Sequence, residues 1–300
     1  MDLLWGRPVA DRIDRGISGR KGASGLPHLV VYRIGDDPAS ASYSRAKVGK
    51  GEKLGAKVTL RGFPREADPR DVISMLREDA SSPDVHGIMV ERPLPSQFDL
   101  HDLMFFVPAV KDVEGIVPEN YGLLAEGRPY LIPPTPLGVV LLMLHYGIEL
   151  NGRNVVVIGR SLTVGRPVSL LLSERYGWAN STVTLLHSGS PRDHPALHDA
   201  DVVVSSVGKA GHVRGEMLKK GAKVIDVGIN IDANGRTVGD IDMDSVRGIA
   251  SAATPTPGGT GPVTVSAIFL NLLRAWCVQK GETPVHDDPL VEKVYGKGEG

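Results

Sequence analysis

Residues 154–172 read NVVVIGRSLTVGRPVSLLL. Four β-branched residues, Val155 to Ile158, run into Gly159, and a second glycine, Gly165, opens another apolar stretch. The pattern predicts strand, tight turn and helix, the unit from which α/β folds are built. A helix N-terminus offers free amide groups and the positive end of a dipole, which suits a phosphate. Gly159 lets the chain turn, and Gly165 lets the helix approach the sheet. The spacing is not G-x-G-x-x-G, so taken alone it fits a plain strand-to-helix turn as well.

The next strand favours a particular dinucleotide. An NAD-preferring site places an acid at the end of the second strand, against the ribose hydroxyls. Here TVTLLHSGSPRD (182–193) ends in His187 and Ser188, with no carboxylate before Asp193. Arg160 lies inside the first turn. A guanidinium and a hydroxyl suit a 2′-phosphate, so NADP is the expected cofactor. Further on, ADVVVSSVG (200–208) and AKVIDVGIN (222–230) each place a glycine after an apolar strand. Gly208 and Gly228 either admit a nicotinamide closely or serve as turn glycines.

Upstream the same alternation recurs. HLVVYRIG (28–35), AKVTLRGF (56–63) and HGIMVERPLP (86–95) read as strands. Helices are predicted between them, the second with Asp68 as N-cap and Pro69 in its first turn. RPYLIPPTPLG (128–138) is a Pro-rich break. The expected organisation is α/β in two domains. Residues 1–133 form the first, completed by a C-terminal helix over 262–285. Residues 134–261 form a Rossmann-like second domain, and 286–300 a frayed polar tail.

Composition narrows the function. Thirty-four basic residues face 35 acidic ones, without the basic excess of a nucleic-acid binder. The single cysteine, Cys277, excludes an internal disulfide framework and fits a reducing cytosol. The apolar run LGVVLLMLHYG (137–147) is too short to cross a bilayer. A soluble cytoplasmic protein is expected. His194 and His198 have metal-compatible spacing but no evident third ligand, so no metal is expected. There is no G-x-S-x-G elbow, and GKGEKLG lacks the Lys-Ser/Thr pair of a Walker A motif.

One helix carries a pair that the scaffold does not require. In YSRAK (43–47), Tyr43 and Lys47 share one face. In isolation the pair reads as a packed tyrosine beside a solvated lysine. Its company changes that. YSRAK, GIMVERPLP, KDVEG, PTP, GRSLTVGRP, VIDVGIN, VGDID and TPTPGGTGPVT occur in this order, from about Leu4 to about Trp276. Together they resemble the bifunctional methylenetetrahydrofolate dehydrogenase/cyclohydrolase family.

The resemblance implies an N-terminal folate-handling domain, a C-terminal NADP-binding domain, a cleft between them and a homodimer. It implies oxidation of 5,10-methylenetetrahydrofolate with NADP, then hydrolysis of the methenyl product to 10-formyltetrahydrofolate. Tyr43 and Lys47 match the family's tyrosine and catalytic lysine. Pro93, Glu114, Pro257 and Gly258 fall with Tyr43 at the substrate. Gly159, Arg160, Ser161, Gly165, Ser188, Val207, Gly208, Gly228, Ile229 and Thr264 fall at the cofactor. The glutamate tail of a folate calls for a basic rim, for which Arg45, Lys50 and Lys53 stay open.

Two positions depart from the family. Its V-Q-x-P-L-P is VERPLP here, so Glu91 replaces a glutamine at a catalytic position. Its K-D-V-D-G is KDVEG, so Glu114 replaces the aspartate at the pterin. A carboxylate beside Lys47 favours the ammonium form and weakens the lysine as a base, unless Glu91 itself takes the proton or Arg92 neutralises it. A dehydrogenase with impaired hydrolysis is therefore one alternative. A shikimate-type dehydrogenase and a non-catalytic folate- or NADP-binding protein are the others.

Overall fold

The computed structural model describes residues 1–18, 27–35, 38–284 and 288–295, and of residues 38–43 it describes the helical backbone. The chain opens with a two-residue strand, β1 (Asp2–Leu3), and helix α1 (Gly6–Ser18). It divides into two compact units, residues 13–134 with 268–286, and residues 1–12, 135–267 and 287–300.

The first unit is a β-α-β-α-β run, as its alternating pattern predicts. Strand β2 (His28–Ile34), helix α2 (Pro38–Leu54), β3 (Lys57–Phe63), α3 (Pro69–Ser81) and β4 (Gly87–Val90) follow one another. The strands pair in parallel in the order β3-β2-β4. Leu29, Val30, Val31 and Tyr32 of the central strand are fully buried, as a parallel strand covered on both faces requires. Asp68 caps α3 by accepting from the Arg70 N–H at 2.9 Å. Short helices α4 (Leu100–Met104) and α5 (Pro118–Ala125) complete the run. Since β3 and β4 lie on opposite sides of β2, the strand order reverses at β2. Ligands of open α/β sheets bind beyond the carboxyl ends of strands at such a reversal.

After residues 1–12, the second unit continues with α6 (Pro134–His145). Then come β5 (Asn154–Ile158), α7 (Gly165–Ser173), β6 (Thr182–Leu186), α8 (Pro195–Asp199), β7 (Val202–Ser205) and β8 (Lys223–Asp226). A small antiparallel pair, β9 (Asn230–Ile231) and β10 (Thr237–Val238), precedes α9 (Met243–Val246), β11 (Ala252–Ala253), α10 (Thr260–Gln279) and α11 (Pro289–Tyr295). Six strands form a parallel sheet in the order β1-β11-β8-β7-β5-β6. Its reversal lies between β5 and β7.

Three boundaries differ from the sequence-based expectation. Residues 1–12, read as part of 1–133, belong to the second unit, because β1 pairs with β11 through Asp2 N–H to Ser251 O and Leu4 N–H to Ala253 O. A two-residue strand carries no periodicity to read. Residues 260–267 of α10 also group with the second unit, and 268–279 with the first. In the first unit, Asn271 donates to Val113 O and Ile132 O at 2.9 and 2.7 Å. Thirdly, the expected polar tail contains α11, whose Val291 and Val294 are buried and whose flanking Asp288 pairs with Arg12. By length and composition α10 would suffice to cross a bilayer, but two-thirds of it is buried in the fold.

Candidate active site

In the first unit, the reversal at β2 gathers the titratable groups. Lys47 lies on α2, which follows β2, and Glu91 follows β4. The Glu91 N–H donates to Tyr32 O, which extends the β4 ladder by one residue. Lys47 Nζ stands 2.6 Å from Glu91 Oε1, and Ser44 Oγ donates to Glu91 Oε2 at 2.6 Å. Ser44 is fully buried and the two charged residues are 6 % exposed. The lysine read in isolation as solvated is thus in a desolvated ion pair. Such a pair costs several kcal/mol of desolvation and is weak evidence for stability. Its burial next to a sheet reversal points to function instead. The helical backbone carries Tyr43 one turn before Lys47; its side chain lies outside the described residues.

Glu114 completes the group. Its Oε2 accepts the Val90 N–H at 3.0 Å, next to Glu91 in sequence. Burial pushes its carboxyl up to about 7, against the opposing pull of Arg92, the Val90 bond and Lys47. The preceding residues of KDVEG hold it in place. Asp112, fully buried, accepts from the backbone of Glu114, Ile116 and Val117 and from Asn120 Nδ2. Lys111 Nζ donates to Ala80 O and Ser82 O at the C-terminal end of α3. Gly115 has φ +62°, and a Cβ there would stand 2.7 Å from Leu131 O. Three residues were missed from sequence: Ser44, which joins the ion pair, and Lys111 and Asp112, which anchor the segment that carries Glu114. KDVEG did contain two of them, but a motif gives order and not direction of side chains. Pro93 follows Arg92 through a cis peptide bond and is exposed. It lines a pocket of about 480 Å³ with Ile34, Gly35, Arg65, Leu94 and Pro95.

In the second unit, the glycine turn closes as predicted. A Cβ on Gly165 would lie 1.8 Å from Gly159 O, and a Cβ on Gly159 would meet Ser206 at 2.6 Å. Ser161 Oγ accepts the Val164 N–H, and Arg160 and Ser188 are exposed at the ends of β5 and β6. The nine-residue α7 starts here, with the positive end of its dipole at the strand reversal. These residues fit a dinucleotide phosphate on backbone geometry. Gly165→Ala is expected to open the turn and raise the NADP dissociation constant at least about tenfold by titration. No change would remove the turn from the cofactor site.

Gly208 and Gly228, left between two readings, have different surroundings. Gly208 has φ +65° and open space where a Cβ would go. At Gly228 a Cβ would lie 2.1 Å from Asp240 Oδ1, and at Gly239 one would lie 1.8 Å from Asp226 Oδ2. Each glycine makes room for the aspartate of the other motif. Asp226 accepts the N–H groups of Gly228, Asp240 and Ile241, and burial pushes it up to about 6. Ile229 is 51 % exposed, Val207 donates its N–H to Asp240, and Thr264 sits in the first turns of α10. Pro257 and Gly258 precede that helix; Gly258 has φ +104° and a Cβ there would strike the Trp5 ring. The two histidines go to separate partners: His194 caps α8 and His198 pairs with Asp193.

A parallel sheet with a glycine turn at its reversal, and a second α/β unit holding a buried lysine among carboxylates, define a nucleotide-dependent enzyme of the two-unit α/β class. Residues 4–114 match the tetrahydrofolate dehydrogenase/cyclohydrolase catalytic domain, and residues 133–280 match its NAD(P)-binding domain. The chain belongs to this family. It is 43 % identical over 253 residues to the bifunctional protein FolD of Roseiflexus sp. (strain RS-1), covering 83 % of this chain and 85 % of that one. The bifunctional FolD dehydrogenase/cyclohydrolase of Campylobacter jejuni superposes with a TM-score of 0.87 at 31 % identity, over 94 % of this chain and 99 % of that one. The Trypanosoma brucei enzyme, solved with NADP cofactor and an inhibitor, superposes with a TM-score of 0.85 at 32 % identity, over 91 % and 96 %.

Proposed function

We propose the following division of labour within a bifunctional methylenetetrahydrofolate dehydrogenase and methenyltetrahydrofolate cyclohydrolase of one-carbon metabolism. The observation that carries it is the desolvated Lys47–Glu91 pair beside Glu114. Glu114 binds the pterin: its carboxylate accepts from a ring N–H and the exocyclic amino group. Its extra methylene, relative to the family's aspartate, is taken up in reaching the Val90 N–H. Tyr43 stacks on the pterin, and Pro93, Pro257 and Gly258 contact the substrate.

The dehydrogenase step needs little proton transfer. A nitrogen lone pair of the substrate expels hydride and leaves a delocalised iminium cation, so the protein's task is to orient the donor carbon and exclude water. NADP supplies the hydride acceptor when bound. Gly159, Ser161 and Gly165 hold its phosphates, and Arg160 with Ser188 receives the 2′-phosphate. Val207, Gly208, Gly228, Ile229 and Thr264 serve the nicotinamide side.

The hydrolytic step needs a base. Water attacks the methenyl carbon, and Lys47 and Glu91 share the proton it gives up; the ring C–N bond then breaks as that nitrogen is protonated, and one proton is released overall. A cytoplasmic location is supported by the single cysteine, Cys277, too few for an internal disulfide, and a homodimer by the family resemblance. The test is an absorbance assay with methylenetetrahydrofolate and NADP, repeated with NAD, on the wild type and on Arg160→Ala. Preference for NADP that falls about tenfold or more in the variant supports the reading. Equal use of both cofactors by the wild type overturns the Arg160 assignment, and no turnover with either overturns the folate reading.

A further inference from the structure

The Asp240 carboxylate is fully buried and is surrounded by donors. Oδ2 accepts the Val207 N–H at 2.7 Å, the Gly208 N–H at 3.3 Å and the Ser205 hydroxyl at 3.1 Å. Oδ1 accepts the Lys209 N–H at 2.8 Å and Asn230 Nδ2 at 3.1 Å. Three consecutive backbone N–H groups, with Gly208 in the left-handed region, thus converge on one anion. That arrangement is an anion-binding nest. It sits directly after β7, at the strand reversal, and adjoins the glycine turn through Ser206, whose carbonyl and hydroxyl occupy the space next to Gly159. In this chain the nest is filled from within, by a side chain that arrives from the far end of the β9–β10 pair.

The carboxylate is itself held. The Asp240 N–H donates to Asp226 Oδ1, and the Ile241 N–H to Asp226 Oδ2. Thr254 Oγ1 accepts the Asp226 N–H at 2.7 Å, and Thr260, the first residue of α10, donates to Asp226 O at 3.0 Å. One chain of bonds therefore runs from the loop after β7, through both aspartates, to the start of α10. It joins residues 205–209 to the motifs VGDID, VIDVGIN and TPTPGGTG, and VGDID had no site residue assigned from sequence.

We propose that Asp240 is a positioning residue of the dinucleotide site: by filling the nest it fixes residues 206–209 against the Gly159 turn, so that this loop presents one shape to the nicotinamide half of the cofactor. The inference rests on the NADP reading and adds to it a residue that touches no cofactor. Only a carboxylate can accept on both oxygens from these donors. An amide would turn its own N–H groups on Lys209 or on Val207 and Gly208, and at least one bond would be lost.

The bifunctional chemistry supplies the control, because hydrolysis of the methenyl substrate requires no NADP. Asp240→Asn should raise the calorimetric dissociation constant for NADP about tenfold or more and shrink the thermal shift that NADP induces. Hydrolysis measured without NADP should stay within about twofold of wild type. Ser205→Ala, which removes one of the five bonds, should weaken NADP in the same direction by a few-fold and serves if the asparagine variant does not fold. Unchanged NADP affinity in both variants overturns the proposal. So does a parallel loss of NADP affinity and NADP-free hydrolysis, which would mark a merely structural role. A wild-type enzyme that binds NADP but turns over neither methylenetetrahydrofolate nor its methenyl form would sink the folate reading and leave the NADP-affinity arm of the Asp240 test intact.

Discussion

Lys47→Met should lower methenyltetrahydrofolate hydrolysis by about 10²–10⁴-fold, the usual contribution of positioned acid–base groups. Hydride transfer should fall much less, because the substrate's own nitrogen drives it. The two activities, assayed separately on one preparation, give the comparison directly. The variant also removes the ammonium beside buried Glu91, and removal of one partner of a buried pair costs about 3–5 kcal/mol. A fall in melting temperature should therefore accompany the loss. Glu91→Gln probes the other partner. It removes the negative charge beside Lys47 Nζ while Ser44 keeps an acceptor. The pH–rate profile of hydrolysis should move, with the dehydrogenase profile held. Equal losses of both activities in Lys47→Met would show that the lysine acts in binding and not in proton transfer. A hydrolysis profile left in place by Glu91→Gln would take Glu91 out of the mechanism.

Glu114→Gln should produce a protein that is more stable at alkaline pH and nearly unable to bind its substrate. The Glu114 carboxyl is raised by burial from 4.5 to about 7. Between those values the folded chain binds more protons than the unfolded chain. Stability therefore falls as pH rises through that window, and the full penalty is present above pH 7. The shift corresponds to about 3 kcal/mol. Glutamine cannot ionise, and its carbonyl oxygen can still accept the Val90 N–H. The variant should melt several degrees above wild type at pH 8, and the advantage should vanish near pH 5. Loss of a charged acceptor for two pterin donors should raise the folate KM by about 10- to 100-fold. The wild-type folate KM should itself rise as pH falls below 7, where Glu114 takes up a proton. A melting difference that is the same at pH 5 and pH 8 would overturn this account.

These two outcomes describe a site whose stability is lower because of what it must do. Neither the buried ion pair nor the buried acid is a good way to hold a fold together. Their presence at one strand reversal, on elements otherwise packed with Val, Ile and Leu, follows the common conflict between activity and stability.

Strand and helix order was legible because each element carries its own period. Val155–Ile158, Leu29–Tyr32 and the Asp68–Pro69 cap state their structure locally. The glycine turn was legible too, since Gly159 turns the chain and Gly165 avoids an oxygen only six residues back. Less legible was α11, whose two buried valines are too few to set a pattern in a charged segment. The reason for Gly228 was hidden altogether, because the atom it avoids belongs to Asp240, twelve residues on.

By itself, then, the sequence determined two α/β units, their motif order and the identity of the charged groups, because periodicity and turn chemistry act over a few residues. Only the tertiary structure decided which charges meet: Lys47 with Glu91 and Ser44, Glu114 with the Val90 N–H, Asp240 with the loop after β7. It also decided that β1 joins the sheet of a unit more than a hundred residues away. Those pairings depend on strand order and on which side chains lose their water, and neither quantity is written in any local stretch of the chain.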